Sequence, residues 1–287
     1  MRTPPPTAAP RTWFITGASR GLGRAFAVAA LDRGDRVVAA ARSIARDAFD
    51  QRHGDRLLAL PLDVTDRAAV IDAVATAVEH FGHLDIVVNN AGTMSMGMLE
   101  EFTEAEARAQ FEVNLFGALW VNQAVLPHLR ARRAGHIVQI SSIAALGGFP
   151  STGMYSASKF ALEGMSEALA MEAAAFDIKV SIVQPGGYWT DLYTSMAATT
   201  PMAAYAPLRA ELERQWAEGS IDSDPRLAAE ALLKLVDSDD PPLRLLLGSM
   251  VYDLAFDISR RRMETWAGWE RVSRAAERAV AATEVPQ

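Results

Sequence analysis

The stretch Thr12-Trp-Phe-Ile-Thr16-Gly17-Ala-Ser-Arg-Gly21-Leu-Gly23 decides the fold of this chain. Its first five residues are β-branched or aromatic, which predicts a strand, and a glycine-rich turn then leads into an alanine-rich segment with helical spacing. Glycines in such a turn let a phosphate approach the backbone, and the helix N-terminus offers free N–H donors and positive potential. A glycine-rich turn alone is often only a turn, but its position after the first strand favours nucleotide binding.

Beyond this unit, short β-branched runs alternate with longer amphipathic segments, which is typical of a parallel sheet covered by helices. The further predicted strands are 36–41, 57–62, 84–88, 135–141, 179–184 and 243–247. The predicted helices are 21–31, 66–81, 102–132 with a break at Phe116-Gly117, 155–176 and 252–279. We therefore expect one doubly wound α/β domain of the Rossmann type, with a mostly parallel seven-stranded sheet and helices on both faces.

Length and composition limit the class of function. The chain has 287 residues, no cysteine and a formal net charge of −7. This negative charge argues against nucleic-acid and anionic-membrane partners, because both bind basic faces. No apolar run approaches the roughly 18 residues that span a bilayer, and the histidines lack metal-ligand spacing. We expect a cytoplasmic protein that binds no metal.

The predicted nucleotide-binding and catalytic domain covers residues 12–250. Residues 1–11 contain Pro4-Pro5-Pro6 and no apolar core, so we expect a disordered tail and not a signal peptide. Residues 187–220 have no strong strand pattern and are expected to form a lid. Residues 251–287 are expected to form a C-terminal helical extension.

A tyrosine and a lysine lie four residues apart in Tyr155-Ser-Ala-Ser-Lys159. Side chains at this spacing share one face of a helix, and an ammonium beside a phenol favours the phenolate. The pKa of Tyr155 is therefore expected to lie below its free value of roughly 10, which suits a general acid/base. The alternative is a solvated surface pair, the usual fate of two such residues at helical spacing.

Further motifs follow the first turn in a fixed order. They are Gly17-x-x-x-Gly21-x-Gly23, which departs from the usual G-x-G-x-x-G spacing, Asn89-Asn90-Ala91-Gly92, Asn114, Ser142, Tyr155-x-x-x-Lys159 and Pro185-Gly186. Together they resemble the short-chain dehydrogenase/reductase family, and the resemblance covers Thr12 to about Leu247. It implies an oxidoreductase that transfers a hydride between a nicotinamide cofactor and a carbonyl or alcohol. It also implies a homodimer or homotetramer, for which the small residues Ala161, Gly164 and Ala168 permit close helix packing.

The resemblance assigns four catalytic roles by position. Tyr155 is the proton donor or acceptor, and Lys159 lowers its pKa while bonding the nicotinamide ribose. Ser142 holds the substrate oxygen, with Ser141 as its rival, and Asn114 anchors a water that links Lys159 to solvent. These roles suit the chemistry, because hydride reduction of a carbonyl leaves an alkoxide that needs a polarising donor and a proton. The alternative for Asn114 is a hydrogen bond to the helix backbone.

The cofactor contacts implied by the resemblance follow the ends of the predicted strands. They are Gly17, Ser19, Arg20, Gly21, Leu22, Gly23, Arg42, Asp63, Val64, Asn90, Ala91, Gly92, Pro185, Gly186, Tyr188 and Thr190, together with Tyr155 and Lys159. Asp63 is equally suited to cap the next helix, and Asn90 and Gly92 to shape a turn.

The end of the second predicted strand indicates which nicotinamide cofactor binds. An NAD-preferring site places a carboxylate there, whereas this chain has Ala41 followed by Arg42. Arg20 lies in the glycine turn, so two guanidiniums are expected to converge on a 2′-phosphate. A solvated surface position is the commoner fate of either arginine alone, but the pair and the missing acid predict NADP(H).

Apolar side chains concentrate around the predicted opening of the site. They are Tyr188, Trp189, Leu192, Tyr193, Met196, Met202, Tyr205 and Trp216 in the lid, and Met94, Met96, Met98, Phe149 and Met154 outside it. We expect a bulky, largely apolar ketone, aldehyde or secondary alcohol as substrate. The alternative is that Leu192, Met202 and Trp216 only pack the lid. The rival function is a regulatory nucleotide-binding protein or a cofactor-assisted epimerase of the same fold.

Overall fold

The computed structural model describes residues 9–45, 47, 49–190, 196–219 and 223–277, with residues 216–219 described by their backbone alone. The strands are β1 (Thr12–Thr16), β2 (Arg36–Ala41), β3 (Leu57–Pro61), β4 (Ile86–Asn89), β5 (Ser95–Met96), β6 (Gly135–Ile140), β7 (Ile178–Pro185), β8 (Ala197–Ala198) and β9 (Arg244–Leu247). The helices are α1 (Gly21–Asp32), α2 (Arg67–Phe81), α3 (Glu104–Phe111), α4 (Gly117–Arg132), α5 (Gly153–Ala174), α6 (Ala206–Gly219), α7 (Pro225–Asp237), α8 (Ser249–Gly268) and α9 (Glu270–Ala275).

Within the described residues, seven strands form one sheet in the order β3-β2-β1-β4-β6-β7-β9. Each neighbouring pair of strands is parallel. The chain winds outward from β1 to β3, returns to β4 beside β1, and then winds outward to β9. The order therefore reverses between β1 and β4, and the crevice at the carboxyl ends of these strands is where such sheets bind ligands. The predicted doubly wound, seven-stranded fold is confirmed.

Helices cover both faces of the sheet, and the side chains of each strand alternate between the two faces. Trp13 and Ile15 of β1 pack into a core with α1 and α7. Phe14, between them, packs into a second core with α2, α4 and α5. Burial on both faces explains why the strands are continuous hydrophobic runs.

The long helix predicted for residues 102–132 is interrupted, as expected, but the interruption begins earlier. A π-helical turn covers Glu112–Phe116 and separates α3 from α4. The structure also contains a two-stranded sheet of β5 and β8 that the sequence analysis missed. Each of these strands has two residues, which is too few for a pattern of alternation.

The predicted disordered tail of residues 1–11 does not extend to Arg11, because this residue is bonded to the domain. The backbone N–H of Arg11 donates to Asp35 Oδ1 at 3.0 Å, and its guanidinium donates to the Val236 carbonyl at 2.6 Å and pairs with Asp237. Arg11 thus ties the start of β1 to the end of α7. In the part of the chain that is described, no helix is both long and apolar enough to cross a bilayer.

The glycine turn after β1 is clamped to the end of β4 by Asn90. Asn90 Nδ2 donates to the carbonyls of Thr16 and Gly17 at 2.9 and 3.2 Å, and Thr16 Oγ1 accepts the backbone N–H groups of Asn90 and Ala91, each at 3.0 Å. A Cβ at Gly23 would lie 2.3 Å from Asn90 Nδ2 and 2.4 Å from the Gly17 carbonyl oxygen. The side chain of Asn90 therefore shapes the turn, as the alternative interpretation held.

We predict that Gly23→Ala destabilises the protein by ~2 kcal/mol or more, because the added methyl group meets backbone that has no room to shift. Gly268→Ala is the matched control, since nothing lies within 4 Å of a Cβ there. Alanine in that helix is expected to be neutral or to stabilise by up to about 1 kcal/mol. Urea unfolding of both variants measures the difference, and equal stability changes would contradict this account of the turn.

Candidate active site

The backbone of the glycine turn is accessible where it leads into α1. Gly17 and Gly21 have φ angles of +66° and +55°, which side chains rarely adopt, and a Cβ at Gly21 would meet only Thr190, at 3.3 Å. α1 begins at Gly21, directly after the turn that follows β1, and the first N–H groups of a helix have no partner within the helix. This bare turn fits a diphosphate group.

The carboxyl end of β2 has no carboxylate. Ala41 is buried there, and Arg42 follows it on the surface. Arg20, at the N-cap of α1, is also exposed. The edge of the crevice next to β2 therefore carries two cationic side chains in exposed positions.

Asp63 and Val64 follow β3 in the same row of strand ends. Asp63 Oδ1 accepts the N–H and the hydroxyl of Thr65 at 3.0 and 2.8 Å. The cap of α2 is Asp66, whose side chain accepts the Ala69 N–H at 3.0 Å, so the alternative that Asp63 caps this helix is wrong. Val64 is buried and packs against Gly117.

Tyr155 and Lys159 lie on α5 and face the crevice. Only 8% of Tyr155 and 5% of Lys159 is exposed, and Lys159 Nζ lies 5.8 Å from the centre of the Tyr155 ring. The ammonium donates to the Ile140 carbonyl at 2.8 Å, at the end of β6. The alternative of a solvated surface pair is therefore wrong.

Burial controls the charge of Lys159. Desolvation lowers the pKa of its ammonium to about 8, while the negative charge of Glu163, one helical turn further along α5, acts in the opposite direction. Lys159 is thus poised to gain or lose a proton close to neutral pH.

The two serines that follow β6 have different partners. The Ser141 hydroxyl donates to Glu163 Oε1 at 2.5 Å, and this carboxylate also accepts from Gln184 at 2.8 Å and Arg244 at 3.3 Å. Ser142 Oγ accepts the Ala144 N–H at 3.1 Å. Because the Ser141 proton is committed to a buried carboxylate, Ser142 is the better placed of the two to donate to a ligand.

Asn114 lies in the π-helical turn and joins two walls of the crevice. Its Oδ1 accepts the Thr93 N–H at 2.8 Å, and its Nδ2 donates to the Thr93 carbonyl at 2.9 Å and to Ser158 Oγ at 3.0 Å. Ser158 in turn donates to the Tyr155 carbonyl at 2.7 Å. Gly92 lies between these groups, since its Cβ would be 3.4 Å from Asn114 Oδ1 and 3.7 Å from Lys159 Nζ.

Of the residues predicted to contact the cofactor or substrate at the end of β7 and after it, some lie in the core and others are exposed. The Gly186 N–H donates to the Leu247 carbonyl at 3.2 Å, directly after Pro185. The Tyr188 side chain packs into the core with α1 and α7, and burial raises the pKa of its phenol. Trp189 is 78% exposed. The predicted lid residues Leu192 and Tyr193, and the side chain of Trp216, lie outside the described residues.

The sequence analysis missed several residues that support the site. Glu163 holds Ser141, and Thr93 and Ser158 hold Asn114. Glu163 follows Lys159 by four residues on the same helix face, and this spacing was a signal that could have identified it. Among the described residues, no cluster of three His, Cys, Asp or Glu side chains is arranged to hold a metal ion.

Comparison with known proteins identifies the family. Residues 11–201 match the family described as short chain dehydrogenase, which is more than half of the chain. The chain belongs to this family. Oxidoreductase BOA17 of Botryotinia fuckeliana (strain B05.10) is 41% identical to this short-chain dehydrogenase over 83% of the chain and 89% of the relative. The 3-ketodihydrosphingosine reductase of Bacteroides thetaiotaomicron is 37% identical over 84% of the chain and 89% of that protein.

Solved structures support the same assignment. A short-chain dehydrogenase from Streptomyces avermitilis is 38% identical and superposes with a TM-score of 0.84, over 94% of this chain and 99% of that one. A short-chain dehydrogenase from Burkholderia cenocepacia J2315, solved in complex with NADP, is 27% identical with a TM-score of 0.71, over 90% of this chain and 96% of that one. This protein is therefore an oxidoreductase by family, with a small-molecule substrate.

We predict that Glu163→Gln lowers the pKa of Lys159 below its value of about 8, because the substitution removes the negative charge that opposes desolvation. Lys159, Lys179 and Lys234 are the three lysines of the chain, so ¹³C NMR of labelled lysine resolves the titration directly. Glu167→Gln is the control, since Glu167 pairs with Arg244 as Glu163 does but is half exposed. An unchanged titration in Glu163→Gln would show that this carboxylate does not set the charge of Lys159.

Proposed function

We propose that this short-chain dehydrogenase is an NADP(H)-dependent oxidoreductase that interconverts a bulky, largely apolar ketone or aldehyde and the corresponding alcohol. The observation that carries the proposal is the buried Tyr155–Lys159 pair on α5, in a fold whose glycine turn leads into the N-terminus of α1. A buried ammonium is costly, and such groups are kept where their charge is used.

The residues of the crevice fit a nicotinamide dinucleotide. The turn from Gly17 to Gly23 and the N-terminus of α1 would hold its diphosphate. Lys159 would bond the nicotinamide ribose beside Gly92, where the absence of a side chain leaves room. Thr190 lies next to Gly21 and would contact the cofactor from the other side of the turn. A bound reduced nicotinamide supplies the hydride of the reaction.

The side chains around Tyr155 handle the proton that accompanies the hydride. Ser142 donates a hydrogen bond to the substrate oxygen, which polarises the carbonyl. Tyr155 transfers its phenolic proton to the developing alkoxide, and the Lys159 ammonium stabilises the phenolate that remains. In the direction of alcohol oxidation the phenolate accepts the proton. Asn114 and Ser158 position α5, and Glu163 holds the end of β6 through Ser141.

Three observations support a bulky apolar substrate. Met94 and Met96 in the segment after Asn90, and Met154 beside Tyr155, are partly exposed, and Trp189 is exposed. No arginine lies between Gly186 and Pro207 to bind a substrate carboxylate. One relative is named for the reduction of 3-ketodihydrosphingosine, a ketone. Methionines adapt to irregular apolar shapes, which suits such a ligand.

We also propose assembly into a homodimer or homotetramer. Gly164 and Ala168 lie exposed on α5 near the partly exposed Ala161, and small residues on one helix face permit close packing against another copy. A cytoplasmic location stays a prediction.

We expect Tyr155→Phe to bind NADPH with nearly unchanged affinity and to lose turnover by about 10²- to 10⁴-fold, because only the transferable proton is removed. Reduction of ketones of increasing apolar size is followed by the loss of absorbance of the reduced nicotinamide. We expect kcat/KM of the unmodified protein to rise along the series. Wild-type turnover by Tyr155→Phe would refute the catalytic assignment. NADPH binding without turnover of any carbonyl by the unmodified protein would favour the regulatory or epimerase alternative.

We expect kcat/KM to be higher with NADPH than with NADH, and Arg42→Ala to lower the NADPH value by roughly tenfold or more while leaving the NADH value unchanged. The physical reason is a charge-assisted hydrogen bond from the guanidinium to the 2′-phosphate. Arg108→Ala, on the exposed face of α3, is the control for a general loss of positive charge. A preference for NADH would overturn the cofactor assignment.

A further inference from the structure

Glu101 is a buried carboxylate that the proposed reaction does not use. It ends the short 3-10 turn Leu99–Glu101 that follows β5, and none of its side chain is exposed. Burying a carboxylate is costly unless hydrogen bonds and a positive charge compensate for the lost water. The groups that offset the cost of burying Glu101 therefore show which parts of the structure this residue connects.

Three of these partners lie on residues 196–209, which we call the outer segment. Glu101 Oε1 accepts the Met202 N–H at 2.8 Å, and Oε2 accepts the Thr199 hydroxyl at 2.8 Å. Arg209 Nη2 donates to both oxygens, at 2.7 and 2.8 Å. These bonds, the Met202 N–H first among them, hold the pKa of Glu101 at about 2, so it is ionised at neutral pH.

The turn that carries Glu101 is attached to the segment just before Tyr155. Oε2 also accepts the N–H of Met98 at 2.8 Å, within its own turn. The N–H of Gly97 donates to the Ser151 carbonyl at 2.9 Å, four residues before Tyr155. A Cβ at Gly97 would lie 2.1 Å from Thr199 Oγ1, so the outer segment packs directly against this part of the crevice wall.

The two-stranded sheet of β5 and β8 adds to the contact between the crevice wall and the outer segment. Ser95 and Met96 of β5 pair with Ala197 and Ala198 of β8. The Ser95 N–H donates to Gln110, on the helix that leads to the Asn114 turn. The outer segment is thus connected through β5 to the elements that carry Asn114 and Tyr155.

We propose that Glu101 is a positioning residue for substrate specificity: it holds the outer segment 196–209 against the crevice wall and so forms the part of the mouth that contacts large apolar substrates. The proposal rests on the proposed oxidoreductase function. It assigns Glu101 no contact with the reacting atoms.

The chemistry of Glu101→Gln makes the proposal testable. Glutamine has nearly the same shape, but one of its two terminal atoms donates hydrogen bonds and it carries no charge. The amide nitrogen must then face at least one of the donors from Thr199, Met202 or Arg209. The outer segment should lose the charge-assisted bonds around Thr199, Met202 and Arg209 and keep only its backbone pairing through β8, while the crevice wall stays folded.

The test compares Glu101→Gln with Glu100→Gln. Glu100 is the neighbouring exposed glutamate and also contacts the outer segment, through the Tyr205 hydroxyl at 2.7 Å. Two readouts are measured on the full chain: amide hydrogen exchange of residues 196–209, and kcat and KM for a small and a large apolar ketone with NADPH. Arg209→Gln serves as a second variant if Glu101→Gln does not fold. It removes the positive charge that pairs with Glu101 and changes only the partly exposed partner of the pair.

For Glu101→Gln we expect exchange in the outer segment to accelerate roughly tenfold or more, since several charge-assisted bonds are lost. KM for the large ketone should rise by a similar factor, with kcat, the small ketone and NADPH affinity within about twofold of the unmodified protein. Glu100→Gln should change none of these values. Unchanged exchange in both Glu101→Gln and Arg209→Gln, or equal losses for both ketones, would overturn the proposal. Hydrogen exchange needs no substrate, so faster exchange combined with no turnover by the unmodified protein would refute the proposed function and not the attachment.

Discussion

The contact between the turn after β1 and the end of β4 is the constraint on which the crevice depends. Asn90 bonds the backbone of this turn, and Thr16 bonds the backbone after β4, so the two strand ends are locked together. Glycine at position 23 is what allows the approach, because a methyl group there would overlap both sides. The reversal of strand order thus becomes a rigid opening in which the N-terminus of α1 is accessible.

Lys159 is a buried ammonium near the carboxyl ends of β4 and β6. Lys159 gives up most of its water, and its proton is bonded by the Ile140 carbonyl. Glu163 limits the resulting fall in the pKa of Lys159, and Arg244 compensates Glu163 in turn. The alternating charges of Lys159, Glu163 and Arg244 run from α5 to β9, the last strand at this edge of the sheet.

Two buried glutamates stabilise different parts of the site. Glu163 joins α5 to β6 and β7, which are elements of the main sheet. Glu101 joins the β5 region to the outer segment, which lies outside that sheet. The elements that carry Tyr155 and Ser142 are therefore held by the packed core, whereas the outer segment is held by backbone pairing and by polar contacts around one buried carboxylate.

Local properties of the sequence determined the fold and the composition of the site. Hydrophobic runs, glycine positions and the four-residue spacing of Tyr155 and Lys159 depend on neighbours in the chain, so the strands, the glycine turn and the interruption near Asn114 were predictable. Only the tertiary structure shows which of the two serine hydroxyls after β6 is bonded to a buried carboxylate. It is that of Ser141, which meets Glu163 only when α5 packs on β6. The tertiary structure also placed the Tyr188 side chain in the core and paired Glu101 with Arg209, 108 positions along the chain. Side chains that far apart leave no periodic signal, because their contact arises from the packing of whole elements and not from local conformation.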